Sequence, residues 1–199
     1  MKILDLDIGD RKLILGSSSA SRRLVVESLN VPFEVLSPDI DEKAIRYSDP
    51  KQLTMAIANA KADALITKVT EPAILIASDQ VVVYEGVIRE KAKDADEARE
   101  FLGSYNHAPA GLTGAIVVVD TKTGKRVSGA QMSRIYFKKI TDEFIEEYIK
   151  DKRAFEGAGG FGIQHDQIFA LVDHLESTKE SVMGLDKDLL LKLIREVLQ

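Results

Sequence analysis

The stretch AILIASDQVVVY, residues 73–84, constrains this chain more than any other. It is apolar nearly throughout and reads as one buried strand. A single carboxylate, Asp79, interrupts it. An isolated buried carboxylate is expensive, so Asp79 calls for a cation, a metal or a site open to water. A structural aspartate at a strand break is the plainer alternative. Glu85-Gly86 then turns the strand into a hairpin. With a two-residue turn, Tyr84 pairs with Val87, Gln80 faces Lys91 and Asp79 faces Ala92. An ideal register puts Lys91 and Asp79 on opposite faces, whereas a bulge or a longer turn brings them together.

Around this strand, helices and strands alternate. Residues 12–15 read as a short buried strand, 20–30 as a helix and 31–36 as a second strand. Asp49, Pro50 and Gln52 open a helix as cap, first-turn proline and capping-box partner. Its apolar stripe is Leu53, Ala56, Ile57, Ala60 and Ala64. Asp94 caps a helix over 94–102. Residues 115–120 and 126–137 read as strands joined at 121–124. Thr141 caps a helix to Lys150, with Ile140 and Ile145 placed as a staple. Residues 157–163 form a glycine-rich loop, and Asp186 caps a Leu-rich last helix. The class is α/β, with hairpins that make the sheet mixed. No linker, low-complexity tract or repeat breaks the chain, so residues 1–199 are read as one domain.

The chain is 45% hydrophobic and 30% charged, an ordinary soluble balance, and its net charge of −5 argues against a general nucleic-acid or anionic-membrane surface. It has no cysteine, which excludes disulfides, thiolate nucleophiles and Cys-ligated zinc. The start, MKILDLDIGDRK, carries acidic residues and no apolar core segment, so it is not read as a secretory signal. No apolar run approaches the length of a membrane span. The expected location is cytoplasmic.

LILGSSSASRR, residues 13–23, joins a strand to a helix through a serine-rich turn. With Ser19 as cap, Arg22 and Arg23 fall at the third and fourth helical positions. Cations are disfavoured there by roughly 0.3–1 kcal/mol each. A bound anion reverses the sign, since a helix N-terminus, hydroxyls and guanidinium together suit a phosphate. Solvated arginines on a plain turn are the alternative. It is not a P-loop, because the glycines and the Gly-Lys-Ser/Thr ending are missing. Lys61 lies at the edge of its helix stripe, where snorkelling is the common case. Asp39, Asp41 and Glu42 form an acidic cluster suited to a hard cation such as Mg²⁺, or simply a solvated loop. His107, His165 and His174 have no metal-ligand spacing.

LILGSSSASRR, PDIDEK, IANAKADA, IASDQVVVYEGVIREK, GLTGAIVV, GAGGFGIQ and SVMGLD occur in an order that resembles the Maf family of nucleoside triphosphate pyrophosphatases, once described as septum-formation inhibitors. The wording SDQVVVYEG…REK is similar to the eukaryotic Maf-like branch. The resemblance implies an elongated mixed sheet flanked by helices, with two lobes around a cleft, similar to the inosine-triphosphate pyrophosphatase fold. It implies hydrolysis of the α–β phosphoanhydride of a nucleoside triphosphate, with a divalent metal, Mg²⁺ or Mn²⁺. It places Ser17, Ser19, Arg22 and Arg23 at the phosphates and Lys61 and Lys91 in the active site. Glu42 falls near the metal, and Asp79 becomes proton acceptor or metal-linked base. Ser21, Gln80 and Gln164 fall where base choice is tuned. No stable nucleic-acid or membrane partner is implied, and a homodimer is compatible.

The sequence departs from the family wording at Ala92 and Asp186, where proline is usual, and at Gly157, where lysine is frequent. Gln80 resembles the 7-methyl-GTP branch, whereas Gln164 resembles the dTTP/UTP branch. The alternatives are a non-catalytic nucleotide-binding protein and a septation or division regulator.

Overall fold

A computed structural model describes residues 6–199. The start of the acidic N-terminal stretch, and with it part of the reading that it is no secretory signal, lies outside the described residues. The elements run β1 (Lys12–Gly16), α1 (Ala20–Glu27), β2 (Phe33–Val35), a 3-10 turn (Glu42–Ala44), α2 (Pro50–Ile66), β3 (Ala73–Tyr84), β4 (Val87–Arg89) and α3 (Ala95–Ser104). They continue with β5 (Ala110–Asp120), β6 (Arg126–Phe137), α4 (Asp142–Lys150), a second 3-10 turn (Arg153–Phe155), α5 (Asp166–Phe169), β7 (Val172–Leu175), α6 (Lys179–Val182) and α7 (Lys187–Leu198). The seven strands form a mixed sheet in the order β2-β1-β3-β5-β6-β7, with β4 paired to β3. β1 is parallel to β2 and β3, whereas β3–β4 and β6–β7 are antiparallel. The fold is α/β, as the alternation of elements predicts. No helix among the described residues is long and apolar enough to cross a membrane.

The chain divides into two compact units, Met1–Asp79 with Gly114–Gln131 and Gly184–Gln199, and Gln80–Thr113 with Met132–Met183. In the first unit, Leu75 and Ala77 of β3, Ile14 of β1 and Val117 and Val119 of β5 form one core with Ala58, Ala62 and Leu65 of α2. The intervening residues Leu13, Leu15, Ile74, Ile76, Ile116 and Val118 alternate to the other face and are buried too. Both faces of β3 are therefore apolar, which is why its sequence shows no alternation. Gly16 permits the close approach of α2. A Cβ there would stand 2.4 Å from Leu65 Cδ1 and 3.1 Å from the Ile76 carbonyl.

In the second unit, Val82 and Tyr84 of β3 share a core with Phe101 and Leu102 of α3, Tyr148 of α4, and Phe161 and Ile163 of the glycine loop. The hairpin has the expected register, with Tyr84 opposite Val87 and Val82 opposite Arg89. The ladder stops at Arg89, and Lys91 instead makes an antiparallel bridge to Ala158. β5 begins at Ala110, five residues before the expected start of the strand. Gly111 makes this possible, because its Cα lies so near the Val83 carbonyl that a Cβ would stand at 3.1 Å.

The caps are local and follow the sequence. Side chains of Ser19, Asp49, Asp94, Thr141 and Asp186 accept from the N–H three residues on. α1 ends at Glu27, before the expected Asn30, which adopts a left-handed φ of 57°. The apolar stripe of α2 is rotated from the expected one. Leu53, Thr54, Ile57, Ala58, Lys61, Ala62 and Leu65 are buried. Lys61 lies within the buried face, not at its edge.

Candidate active site

The parallel register that sets Gly16 opposite Ala77 brings the turn after β1 alongside the middle of β3. Ser17, Ser78 and Asp79 are all buried there. Ser19 caps α1 by accepting from Arg22 N at 3.5 Å, and Ser17 Oγ accepts from Ser19 N at 3.2 Å. Arg22 thus holds the third helical position, and its side chain turns inward. Nη1 donates to the Ser78 carbonyl at 3.0 Å and to Ser17 Oγ at 3.4 Å. Arg22 Nε and Ser78 Oγ are enclosed and have no hydrogen-bond partner among the described residues. Gly184, at φ 97°, closes over the guanidinium, where a Cβ would meet Nε at 2.9 Å. Burial pushes the Arg22 pKa down, while the charges of Asp79 and Glu42 oppose that shift.

Lys61 brings the two carboxylates together. Its ammonium donates to Asp79 Oδ1 at 2.8 Å and stands 3.2 Å from Glu42 Oε2. Lys61 and Asp79 are 5% and 6% exposed, so this pair is removed from water, whereas the Glu42 side chain is half exposed. Glu42 is presented by the 3-10 turn, whose start Asp41 caps through Lys43 N at 3.1 Å. Two cations and two anions therefore converge beside the N-terminus of α1. Lys61 does not snorkel to open water, and Asp79 has its cation partner.

Other expected site residues are arranged differently. Arg23 is exposed and pairs with Glu27 at 2.9 Å, an ordinary i,i+4 contact on the helix surface. Ser21 is partly buried on α1. In the second unit, Gln80 Nε2 donates to the Ser181 carbonyl at 2.8 Å. Gln164 lies beside His165, at 3.4 Å between their side-chain nitrogens, and His165 in turn contacts Glu156 at 2.8 Å. Lys91 is exposed and makes no side-chain hydrogen bond or ion pair among the described residues.

The departures from the family wording have local causes. A Cβ at Gly157 would stand 2.0 Å from the Phe161 carbonyl, so this loop admits no lysine there without rearranging. The Asp186 N–H, which a proline would lack, donates to Gln131 Oε1 at 2.8 Å. Ala92 is buried in the core of the second unit. Sequence reasoning missed Ser78 and Gly184. Both lie inside quoted motifs, next to Asp79 and Leu185, but only the tertiary contact to Arg22 reveals what they do.

The chain matches the family described as Maf-like protein over residues 12–197. It is 46% identical to the 7-methyl-GTP pyrophosphatase of Dictyostelium discoideum, over 95% of this chain and 98% of that one. It is 35% identical to the dTTP/UTP pyrophosphatase of Bacillus cytotoxicus, over 95% of each. Among solved structures it superposes on a nucleoside-triphosphatase / dITP/XTP pyrophosphatase from Mycobacterium abscessus with a TM-score of 0.39 and 14% identity, over 65% of this chain and 75% of that one. The match along nearly the whole chain, together with the two full-length relatives, makes this protein a member of the Maf family.

Proposed function

We propose that the protein is a nucleoside triphosphate pyrophosphatase that cleaves the α–β phosphoanhydride, releasing the nucleoside monophosphate and pyrophosphate. The observation that carries this reading is the convergence of Lys61, Asp79, Glu42 and buried Arg22 at the start of α1. A polyphosphate supplies the anion that Arg22 lacks, and the free N–H groups of the helix end add to its binding. Ser17 and Ser19 offer hydroxyls to the same phosphates, with Arg23 and Ser21 on the adjoining helix surface.

Glu42 and Asp79 present hard carboxylate oxygens that already gather round one cation, the Lys61 ammonium. No group of three His, Cys, Asp or Glu among the described residues forms a complete cage. Two carboxylates suit Mg²⁺ or Mn²⁺ that completes its shell with water and substrate phosphates, so the residues fit such an ion, with Glu42 and Asp79 as its holders. When bound, the ion supplies polarisation of the phosphoryl oxygens. Asp79 orients water and accepts its proton as the water oxygen bonds to the α-phosphorus. The bond to the bridging oxygen breaks, and pyrophosphate leaves with the electron pair. Lys61 and Lys91 stabilise the charge that grows on the transferred and departing groups.

Ser21, Gln80 and Gln164 are assigned to the base, where the amides of the two glutamines offer both donor and acceptor. The 46% identity to a 7-methyl-GTP pyrophosphatase favours that nucleotide over dTTP and UTP. A cytoplasmic enzyme that removes unwanted nucleotides, without a nucleic-acid partner and as a homodimer, completes the reading; the lack of cysteine supports the location, and the acidic net charge of −5 supports the absence of a nucleic-acid partner. The test is pyrophosphate release across 7-methyl-GTP, dTTP, UTP and the standard nucleotides, with and without Mg²⁺. Release from one class supports the reading; binding without release from any nucleotide overturns it.

A further inference from the structure

We propose that Tyr105 is a positioning residue for Lys91, acting through the glycine loop 157–163. The inference rests on the catalytic role assigned to Lys91 above. Among the described residues the Lys91 side chain has no partner, so its backbone sets where its ammonium begins. That backbone is bridged to Ala158, and the neighbouring Glu90 carbonyl accepts from Gly159 N at 2.9 Å. The loop on the other side of these contacts contains Gly157, Gly159, Gly160 and Gly162. Such a segment has many backbone conformations open to it. Its own internal bond, Gly160 N to the Gly157 carbonyl, is long at 3.4 Å.

The Tyr105 hydroxyl donates to the Gly159 carbonyl at 2.9 Å and thereby ties this loop to the core. Tyr105 itself is held on several sides. It is 2% exposed, and its ring meets those of Tyr84, Phe137 and Phe161 at 5.5–5.7 Å between centroids. The buried Arg89, two residues before Lys91, lies over the rings of Tyr84, Phe101 and Tyr105 at 4.1, 4.5 and 5.4 Å. Arg89 is anchored in turn to Ser104 Oγ at 2.6 Å. Burial raises the Tyr105 pKa to about 12, so the hydroxyl keeps its proton and remains a donor. Gly159 is fitted to this contact, since a Cβ there would stand 2.7 Å from the hydroxyl.

Tyr105→Phe keeps the ring and removes the tether. In the full-length variant, the amides of 157–163 and of Lys91 should exchange with deuterium faster, with the rest of the chain unchanged. Loss of one buried hydrogen bond should lower kcat by about tenfold with little change in KM. In a Lys91→Ala background the same change should lower kcat no further, because both act through one group. Wild-type exchange in the loop overturns the tether. Unchanged kcat, or a drop that adds to that of Lys91→Ala, overturns the positioning role. Wild-type turnover in Lys91→Ala alone overturns the role of Lys91, and that result needs no Tyr105 variant.

Discussion

Lys61 holds Asp79 at 2.8 Å and has Glu42 as a second partner at 3.2 Å, whereas Asp79 meets no lysine but Lys61 among the described residues. The pair is therefore asymmetric. Removing the charge of Asp79 leaves Lys61 with Glu42, but removing Lys61 leaves a buried carboxylate with the field of Arg22 and no ion pair among the described residues. Asp79→Asn is nearly isosteric and should lower the melting temperature little. It should lower pyrophosphate release by roughly 10²–10⁴-fold, the range for a lost general base. Near-normal turnover would sink the catalytic assignment.

Lys61→Met should cost about 3 kcal/mol or more in denaturant unfolding, the usual penalty for stranding one member of a buried ion pair. The double variant Lys61→Met with Asp79→Asn should be more stable than Lys61→Met alone. A double variant as unstable as the single one would mean that the loss comes from packing of the lysine stem, not from the charge.

Gly184 and Arg22 give a binding prediction. Gly184→Ala is strained by the φ of 97°, and its Cβ would press on Arg22 Nε at 2.9 Å. The variant should lose about 1–3 kcal/mol of stability and should also weaken nucleotide binding, because the guanidinium must shift. Arg22→Ala should weaken binding at least as much. Its effect on melting should be small, since a poorly solvated cation is removed while the Ser78 carbonyl loses a donor. Calorimetric titration with a slowly hydrolysed nucleotide analogue checks both. Full affinity in Gly184→Ala would show that the glycine serves the turn alone.

Much of this fold was legible because the signals are local. The caps of α1, α2, α3, α4 and α7 each lie three residues from the N–H they satisfy, and the β3–β4 register follows from a two-residue turn. Charge patterns were legible as problems without answers. Asp79 in an apolar strand and Arg22 in a helix first turn each announced a missing partner. The partners lie 18 and 56 residues away, in Lys61 and the Ser78 carbonyl, and local spacing does not report them. α5, β7 and α6 have four residues each and escaped notice, being too short to show a period. The role of Arg23 was the least legible. Its type and position match those of Arg22, and only the direction of the side chain separates a buried guanidinium from a surface partner of Glu27.

Arg11 holds Asp120 through two hydrogen bonds of 2.9 and 2.8 Å, and Thr123 Oγ1 and Lys122 N also donate to that carboxylate. These donors, Arg11 first, depress the Asp120 pKa from 3.8 to about 2. A carboxylate whose folded pKa is lowered adds stability that is present above its unfolded pKa and is lost as pH falls through the folded one. The clamp should thus act fully above about pH 5 and fade between about pH 4 and pH 2. Asp120 is 1% exposed, so screening is weak, and the contribution at neutral pH is on the order of 2 kcal/mol. Asp120→Asn should be less stable than the parent by about that amount at pH 7. The gap between the two should close as both are titrated toward pH 2. Urea unfolding of the pair at pH 7, 5, 4 and 3 measures it, and a gap that stays constant with pH would show that shape, not charge, is what Asp120 contributes.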